Sequence, residues 1–195
     1  METALRRRRE HRRRGGRRRT RRMALAAALA AATLLTTSSC ASSSYATPNS
    51  LCGVPVKPEL LDNLLPPGSK LTVSQRDSTA VPALRYCDVA VDGTPQLDIE
   101  GLWRSRAGAG DRTLDDIAAR HNAPATESRR VGTMLVWKTG AATAFDCQNP
   151  KQRSDGFSVW TGLKNPSSSD QRRNLESFLA SYAAAYKKTL PCEKP

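Results

Sequence analysis

The chain has 195 residues, enough for one domain with a sizeable core, and a formal net charge of +13. Twelve arginines and two glutamates lie in residues 1–22, whereas residues 40–195 carry 19 basic and 16 acidic side chains. The basic excess is therefore confined to one end of the chain. This distribution argues against a nucleic-acid-binding domain, and we expect no nucleic-acid partner.

The basic block runs directly into an apolar stretch, residues 23–35, and then into small polar residues before Cys40. As a helix, this stretch would reach only about 20 Å, whereas the hydrocarbon core of a bilayer is about 30 Å thick. We therefore interpret residues 1–39 as a cleaved secretory signal peptide, with an n-region at 1–22 and an h-region at 23–35.

The residues around Cys40 indicate how the exported chain is processed. Ser38 and Ser39 before Cys40 resemble the lipobox of bacterial lipoproteins, in which the cysteine is diacylated. This resemblance implies a lipid anchor at Cys40 on the extracellular face of the cytoplasmic membrane. The alternative is cleavage after Ala46, which would release a secreted protein. Residues 20–25 loosely resemble a twin-arginine motif, so the export route stays open.

The exported part is expected to consist of a flexible tether and one domain. Residues 40–51 are small and polar, which is typical of a tether, and residues 52–195 are expected to form a single domain stapled by disulfides. Hydrophobic periodicity predicts an α+β fold, with three helices and a mainly antiparallel sheet of about six strands in the order αβββαβββα. The predicted strands are 70–75, 84–91, 96–104, 132–138, 141–147 and 156–163; the helices are 58–65, one from Thr113 that frays by 122–124, and one capped at 167–170.

Two local signals refine this fold. Asp92–Gly93 between two alternating runs is typical of a hairpin turn, which Thr94–Pro95 would lengthen. Gly101, inside a predicted strand, indicates a bulge.

Four cysteines remain to pair once Cys40 is acylated: Cys52, Cys87, Cys147 and Cys192. They allow three connectivities, and the sequence alone leaves all three open. The shorter loops of Cys52–Cys87 and Cys147–Cys192 cost less entropy to close, which favours that arrangement.

Two features resemble a known group of proteins. Cys52-Gly53-Val54-Pro55 precedes a short leucine-rich helix, and a second cysteine lies in the strand segment Cys87-Asp88-Val89. Together with the arginine-rich leader and the serine-rich tether, these segments resemble the small, largely uncharacterised secreted lipoproteins of actinobacteria. The resemblance covers the leader and residues 50–104. It implies an envelope lipoprotein and brings no catalytic residues with it.

His121 is the one histidine of the exported part and a candidate general base. A base would need a nucleophile and an orienting carboxylate, and the spacing places none of the available carboxylates beside it. These are Asp88, Asp98, Glu100 and Asp146. We therefore favour a structural role at a helix C-terminus. Asp111, Asp115 and Asp116 are interpreted in the same way, as helix N-terminal carboxylates and not as metal ligands.

Asp98 and Glu100 share one face of a predicted strand, where paired carboxylates could serve a hydrolase, although a solvated sheet face is the more ordinary interpretation. Three tryptophans in predicted strands could line an aromatic groove for a glycan or peptide, or belong to the core: Trp103, Trp137 and Trp160.

The chain contains no common hydrolase, metalloprotease or phosphate-binding motif, and its cysteines lack zinc spacing. We expect no cofactor and no metal. The sequence therefore predicts a membrane-tethered, non-catalytic binding or accessory module for an envelope protein, peptide or glycan. A cell-envelope hydrolase using carboxylates is the alternative.

Overall fold

The structure is a computed structural model that describes residues 43–78, 84–104, 114–123, 125–166 and 171–193. The predicted signal peptide, Cys40, Thr113 and the predicted cap at 167–170 lie outside these residues. In chain order the elements are β1 (Ser50–Leu51), β2 (Val54–Pro55), α1 (Pro58–Asp62), β3 (Leu71–Asp77), β4 (Leu84–Val91), β5 (Thr94–Arg104), α2 (Leu114–Arg120), β6 (Arg129–Val131), β7 (Met134–Trp137), β8 (Gly140–Asn149), β9 (Ser154–Leu163) and α3 (Gln171–Thr189).

Seven strands form one antiparallel sheet in the order β3-β4-β5-β9-β8-β7-β6. Two meanders, β3–β5 and β6–β9, join where β5 pairs with β9. The predicted α+β fold is thus confirmed, with one strand more in this sheet than the sequence indicated. That strand is β6, whose three residues are too few, and two of them too polar, to show an alternating pattern.

The two faces of the sheet are covered differently. The longest helix, α3, packs on one face with α1 and the small β1–β2 hairpin. The core between this helix and the sheet includes five side chains that are almost fully buried: Phe157, Val159, Phe178, Leu179 and Tyr182. The shorter α2 covers part of the opposite face, over β7 and β8, with a smaller apolar cluster. We call the two sides the α3 face and the α2 face.

Both disulfides lie with the α3 face, and they have the pairing that loop entropy favoured. Cys52 is bonded to Cys87 on β4, which ties the β1–β2 turn to the sheet. Cys147 on β8 is bonded to Cys192, which fastens the chain just after α3. The C-terminal end of α3 is therefore fastened covalently to the sheet, and so is the β1–β2 hairpin that packs against this helix.

The β4–β5 turn is tighter than the sequence suggested. Asp92 and Gly93 have φ values of 50° and 78°, as a two-residue type I′ turn requires, and β5 begins at Thr94. The bulge predicted at Gly101 is not observed, because Gly101 pairs regularly with Arg85 and Val159. The irregularity lies where Val89 and Ala90 face β5, next to Pro95, which has no N–H for the ladder.

The predicted tether is partly incorporated into the domain. Residues 43–49, which we call the strap, run along the segment after α1. The Ser44 N–H donates to Gly68 O at 2.8 Å, the Tyr45 hydroxyl donates to Pro66 O at 2.7 Å, and Thr47 Oγ1 bonds the Asp62 carboxylate. Leu51, the last residue of the expected tether, is fully buried. The folded part thus begins before Cys52.

Candidate functional site

A buried charged cluster lies on the α2 face and consists of Glu100, Arg120, His121 and Trp160. Glu100 faces α2 because its neighbours in β5, Ile99 and Gly101, point to the α3 face. Trp160 on β9 is the direct cross-strand partner of Glu100, so both side chains stand on the same face. We call these four residues the Glu100 cluster.

The end of α2 delivers the other two members of the cluster. The Ala123 N–H donates to Ala118 O at 2.8 Å and the Asn122 N–H to Ala119 O at 3.1 Å, with Asn122 at a φ of 53°. This is a Schellman ending with asparagine in the left-handed position. Where fraying was expected, the helix therefore ends sharply, and this ending fixes the side chains of Arg120 and His121 over the sheet.

The contacts inside the Glu100 cluster are short and directional. Arg120 Nη2 lies 2.6 Å from Glu100 Oε1, and His121 Nε2 lies 3.7 Å from Glu100 Oε2. The imidazole stacks on the Trp160 indole, with ring centroids 3.6 Å apart and planes 6° apart. Glu100 was expected on a solvated face, but its side chain is only 6% exposed because α2 covers it. His121 is indeed at a helix C-terminus, with a side chain 16% exposed.

This geometry does not assemble a nucleophile–base–acid series. Within the described residues, His121 Nε2 has no hydrogen-bond partner, so no hydroxyl or thiol is poised beside it. The second carboxylate of the hydrolase hypothesis, Asp98, is engaged elsewhere, since Lys164 Nζ lies 2.5 Å from its Oδ2. Each carboxylate is thus already bonded to its own cation.

The remaining acidic candidates lie apart from this cluster. Asp88 pairs with Arg76 at 2.7 Å, and Asp115 is bonded by Arg130 at 3.0 Å. Asp146 lies at an exposed position on β8, and Asp111 falls outside the described residues. Among the residues that the structure describes, no group of three histidine, cysteine or carboxylate side chains could hold a metal ion.

The three tryptophans do not line one groove. Trp103 belongs to the α3-face core, in edge-to-face contact with Phe157, whereas Trp137 is fully buried in the small cluster under α2. Trp160 also lies on the α2 face, but the His121 ring stacks on its indole and covers it. The aromatic groove is therefore not formed by these side chains, which alternation had assigned to strands without fixing their faces.

An open cleft of about 750 Å³ lies on the α3 face, at the β6–β7 end of the sheet. It exists because α3 presents alanines there, which are too small to fill the space between helix and sheet. We call it the α3 cleft. Its lining consists of the β6–β7 turn and neighbours (Val131, Gly132, Thr133, Met134), part of β8 (Thr143, Ala144, Phe145, Asp146) and one side of α3 (Ala180, Ala183, Ala184, Lys187).

The lining of the α3 cleft combines apolar side chains with two threonines and two charged groups, Asp146 and Lys187. Met134 and Phe145 are its largest apolar side chains, and Lys187 Nζ lies 5.3 Å from the centre of the Phe145 ring. The Thr143 hydroxyl is bonded to Thr133 O at 3.0 Å, which ties the turn to β8. Lys187 is exposed on α3, and the helical periodicity of the sequence gives no sign of the cleft.

A second, smaller pocket of about 200 Å³ lies beside the Cys52–Cys87 disulfide and is bounded by Arg85, Tyr182 and Tyr186. Burial raises the pKa of the Tyr182 phenol above its ordinary value. Burial also raises the pKa of Tyr186, and the hydrogen bond from Arg85 partly opposes this. Both hydroxyls are thus held neutral, and the pocket offers no ionisable group suited to acid–base chemistry near neutral pH.

Comparisons with protein families, with curated proteins and with solved structures found no match to this chain. None of the helices in the described residues is long and apolar enough to cross a membrane. The site therefore has to be interpreted from its own geometry.

Proposed function

We propose that this chain is a cell-surface lipoprotein whose domain binds an envelope ligand in the α3 cleft and does not catalyse a reaction. The observation that carries the proposal is the cleft itself, an open space of about 750 Å³ with apolar and polar lining, in which Lys187 stands over the Phe145 ring. Apolar clefts with few, well-placed polar groups are the usual form of a ligand site. Because an exposed carboxylate, Asp146, lines the same cleft, the ligand class that fits is an apolar group with one polar or charged substituent beside Lys187.

The anchoring part of the proposal is supported by the strap. Cleavage after Ala46 would remove Ser44 and Tyr45, whose bonds to Gly68 and Pro66 join the strap to the domain. Cleavage before Cys40 keeps these contacts in the mature protein. The strap therefore favours the lipid-anchored form over the secreted form.

The hydrolase alternative has weaker support. It requires two carboxylates that converge on a substrate with room between them. Asp98 and Glu100 share a face, but each is bonded to a cation, and Glu100 lies under α2. Release of soluble fragments from isolated peptidoglycan by the purified protein, abolished in Glu100→Gln, would favour the hydrolase and contradict our proposal.

The binding proposal is tested by titration with 1-anilinonaphthalene-8-sulfonate, a fluorescent probe that combines an apolar ring system with a negative charge. We expect saturable binding at one site. Ala184→Phe, which adds a ring at an exposed alanine in the cleft wall, should weaken it by about tenfold or more, and Lys187→Gln by roughly threefold.

The matched control is Thr72→Phe, which adds the same ring at an exposed position of β3, at the opposite edge of the sheet, and should leave binding unchanged. Because partly unfolded proteins also bind this probe, each variant must keep the near-UV circular dichroism of the native chain. Equal binding by Ala184→Phe and the wild type would show that the cleft is not the site.

A further inference from the structure

The strap determines where the domain can sit relative to its anchor. Its first described residues are bonded to the segment between α1 and β3: the Ser44 N–H and hydroxyl both donate to Gly68 O, and Tyr45 donates to Pro66 O. The end of the strap nearest to Cys40 is therefore fixed on the domain and does not hang free.

The segment that receives the strap is locked to the β4–β5 turn. The Asp92 carboxylate accepts bonds from the Ser69 and Lys70 backbone N–H groups at 2.8–3.1 Å, and the Asp92 N–H donates to Lys70 O at 2.8 Å. A Cβ at Gly68 would overlap the side chains of Val91 and Asp92, so this close approach requires glycine. These bonds join the strap, the segment 66–70 and residues 92–95 at the β4–β5 turn, and we call the three together the anchor corner.

Only three peptide units separate Cys40 from Ser43, a span of at most about 11 Å when fully extended. We propose that the anchor corner rests on the headgroup layer of the membrane, so that the domain has one preferred orientation. This inference depends on the proposed acylation of Cys40. In this arrangement the domain does not move freely on a flexible tether, because the edge that contains the anchor corner faces the membrane.

The surface chemistry of the anchor corner suits a headgroup layer. Its exposed residues are small or polar, with one cation and one acid: Ser43, Ser44, Ala46, Asn49, Pro67, Ser69, Lys70, Asp92, Gly93, Thr94 and Pro95. The one acid, Asp92, is occupied by backbone N–H groups. Lys70 favours contact with anionic lipids and balances the charge of the Asp92 carboxylate, so the corner carries no net negative charge.

The same orientation presents the α3 cleft away from the membrane. The anchor corner is at the β3 side of the sheet and the cleft at the β6–β7 side, several strand spacings of about 4.8 Å apart. The register also places Met134 level with Thr143, Val159 and Gly101, seven residues along β5 from Thr94, or about 24 Å. The cleft therefore lies diagonally opposite the anchor.

Hydrogen–deuterium exchange of the mature, acylated protein tests this orientation. The probe is a nanodisc of phosphatidylethanolamine and phosphatidylglycerol, and the reference is the soluble Cys40→Ser variant. We expect peptides covering 66–70 and 92–95 to exchange about threefold or more slowly in the nanodisc, with no change at the β6–β7 turn.

An insertion of about 12 Gly and Ser residues between Ser42 and Ser43 lengthens the tether by about 20 Å and should abolish this protection. Equal exchange at 92–95 with and without the nanodisc, or protection at Gly132–Thr133, would overturn the orientation. Intact mass separates the two proposals: a chain without acyl groups on Cys40 refutes the anchoring, whereas an acylated chain with an unprotected turn refutes only the orientation.

Discussion

The two faces of the sheet are built in different ways. On the α3 face, a helix of 19 residues buries aromatic and aliphatic side chains, and two disulfides hold its surroundings. On the α2 face, a helix of seven residues has a small apolar cluster and is positioned by an ion pair and a ring stack at its C-terminal end. The difference shows that a long helix can depend on apolar area, whereas a short helix needs directional contacts to hold its place.

The largest expected effect comes from the α3-face core. Phe157 makes edge-to-face contacts with Trp103 and Tyr186, and Phe157→Ala should lower the free energy of unfolding by about 4 kcal/mol through lost burial and a cavity. Leu135→Ala in the small cluster under α2 is the comparison and should lower it by about 2–3 kcal/mol. Urea denaturation followed by tryptophan fluorescence measures both; a larger loss for Leu135→Ala would reverse the ranking of the two faces.

Removal of the second disulfide, Cys147–Cys192, measures how much the covalent bonds stabilise the α3 face. The double variant Cys147→Ala/Cys192→Ala should lose about 3 kcal/mol, because the loop that the bond closes regains its entropy in the unfolded chain. Cys52→Ala/Cys87→Ala opens a loop of similar length and should lose a similar amount. Calorimetry on the two double variants checks this, and a negligible loss in both would mean that α3 packing alone holds the face.

On the α2 face we expect the ion pair to matter in proportion to its burial. Glu100→Gln removes the buried carboxylate that Arg120 bonds and should lower the free energy of unfolding by about 2 kcal/mol, a figure reduced because Arg120 is 35% exposed. Asp98→Asn, in the more exposed pair with Lys164, is the matched control and should lose less than about 1 kcal/mol. Chemical denaturation at low and high salt measures both; equal losses would contradict the assigned burial of Glu100.

The smallest effect at neutral pH is expected for Tyr182→Phe, which removes a long hydroxyl bond to Leu51 O at 3.5 Å. The folded state raises the pKa of Tyr182, so the unfolded chain loses this proton first as the pH rises above about 10. Wild-type stability should then fall by about 1.4 kcal/mol at pH 11 from this group, and Tyr182→Phe should lack that part of the fall. Denaturation at pH 8 and pH 11 measures the difference; parallel falls in both proteins would contradict the burial of the phenol.

Strand alternation predicted the α3 face well, because alternate residues of each strand there are apolar and buried. The run from Leu84 to Val91 gave strand β4 with its observed bounds, and the Asp92–Gly93 pair gave the turn. Loop entropy indicated the disulfide pairing, since the bonds join cysteines 35 and 45 residues apart, closer than in either alternative pairing. Strand alternation, turn residues and loop length can all be determined from one sequence.

The candidate sites depend on contacts between distant segments. Alternation shows which face Glu100 occupies, but not that α2 will cover that face and bring Arg120 and His121 to it. The α3 cleft exists because α3 has no large side chains there: Ala180, Ala183 and Ala184 continue the helix without filling the space between it and the sheet. Packing of this kind is set by the whole fold and leaves no local pattern in the sequence.

The most direct test of the account is the intact mass of the protein extracted from membranes, measured before and after reduction. We predict a chain that begins at Cys40, carries a diacylglyceryl group and has no free thiol until reduction, which then releases four. A chain that begins at Thr47 without acyl groups, or a full-length chain with free thiols, would contradict the anchored and disulfide-stapled domain described above.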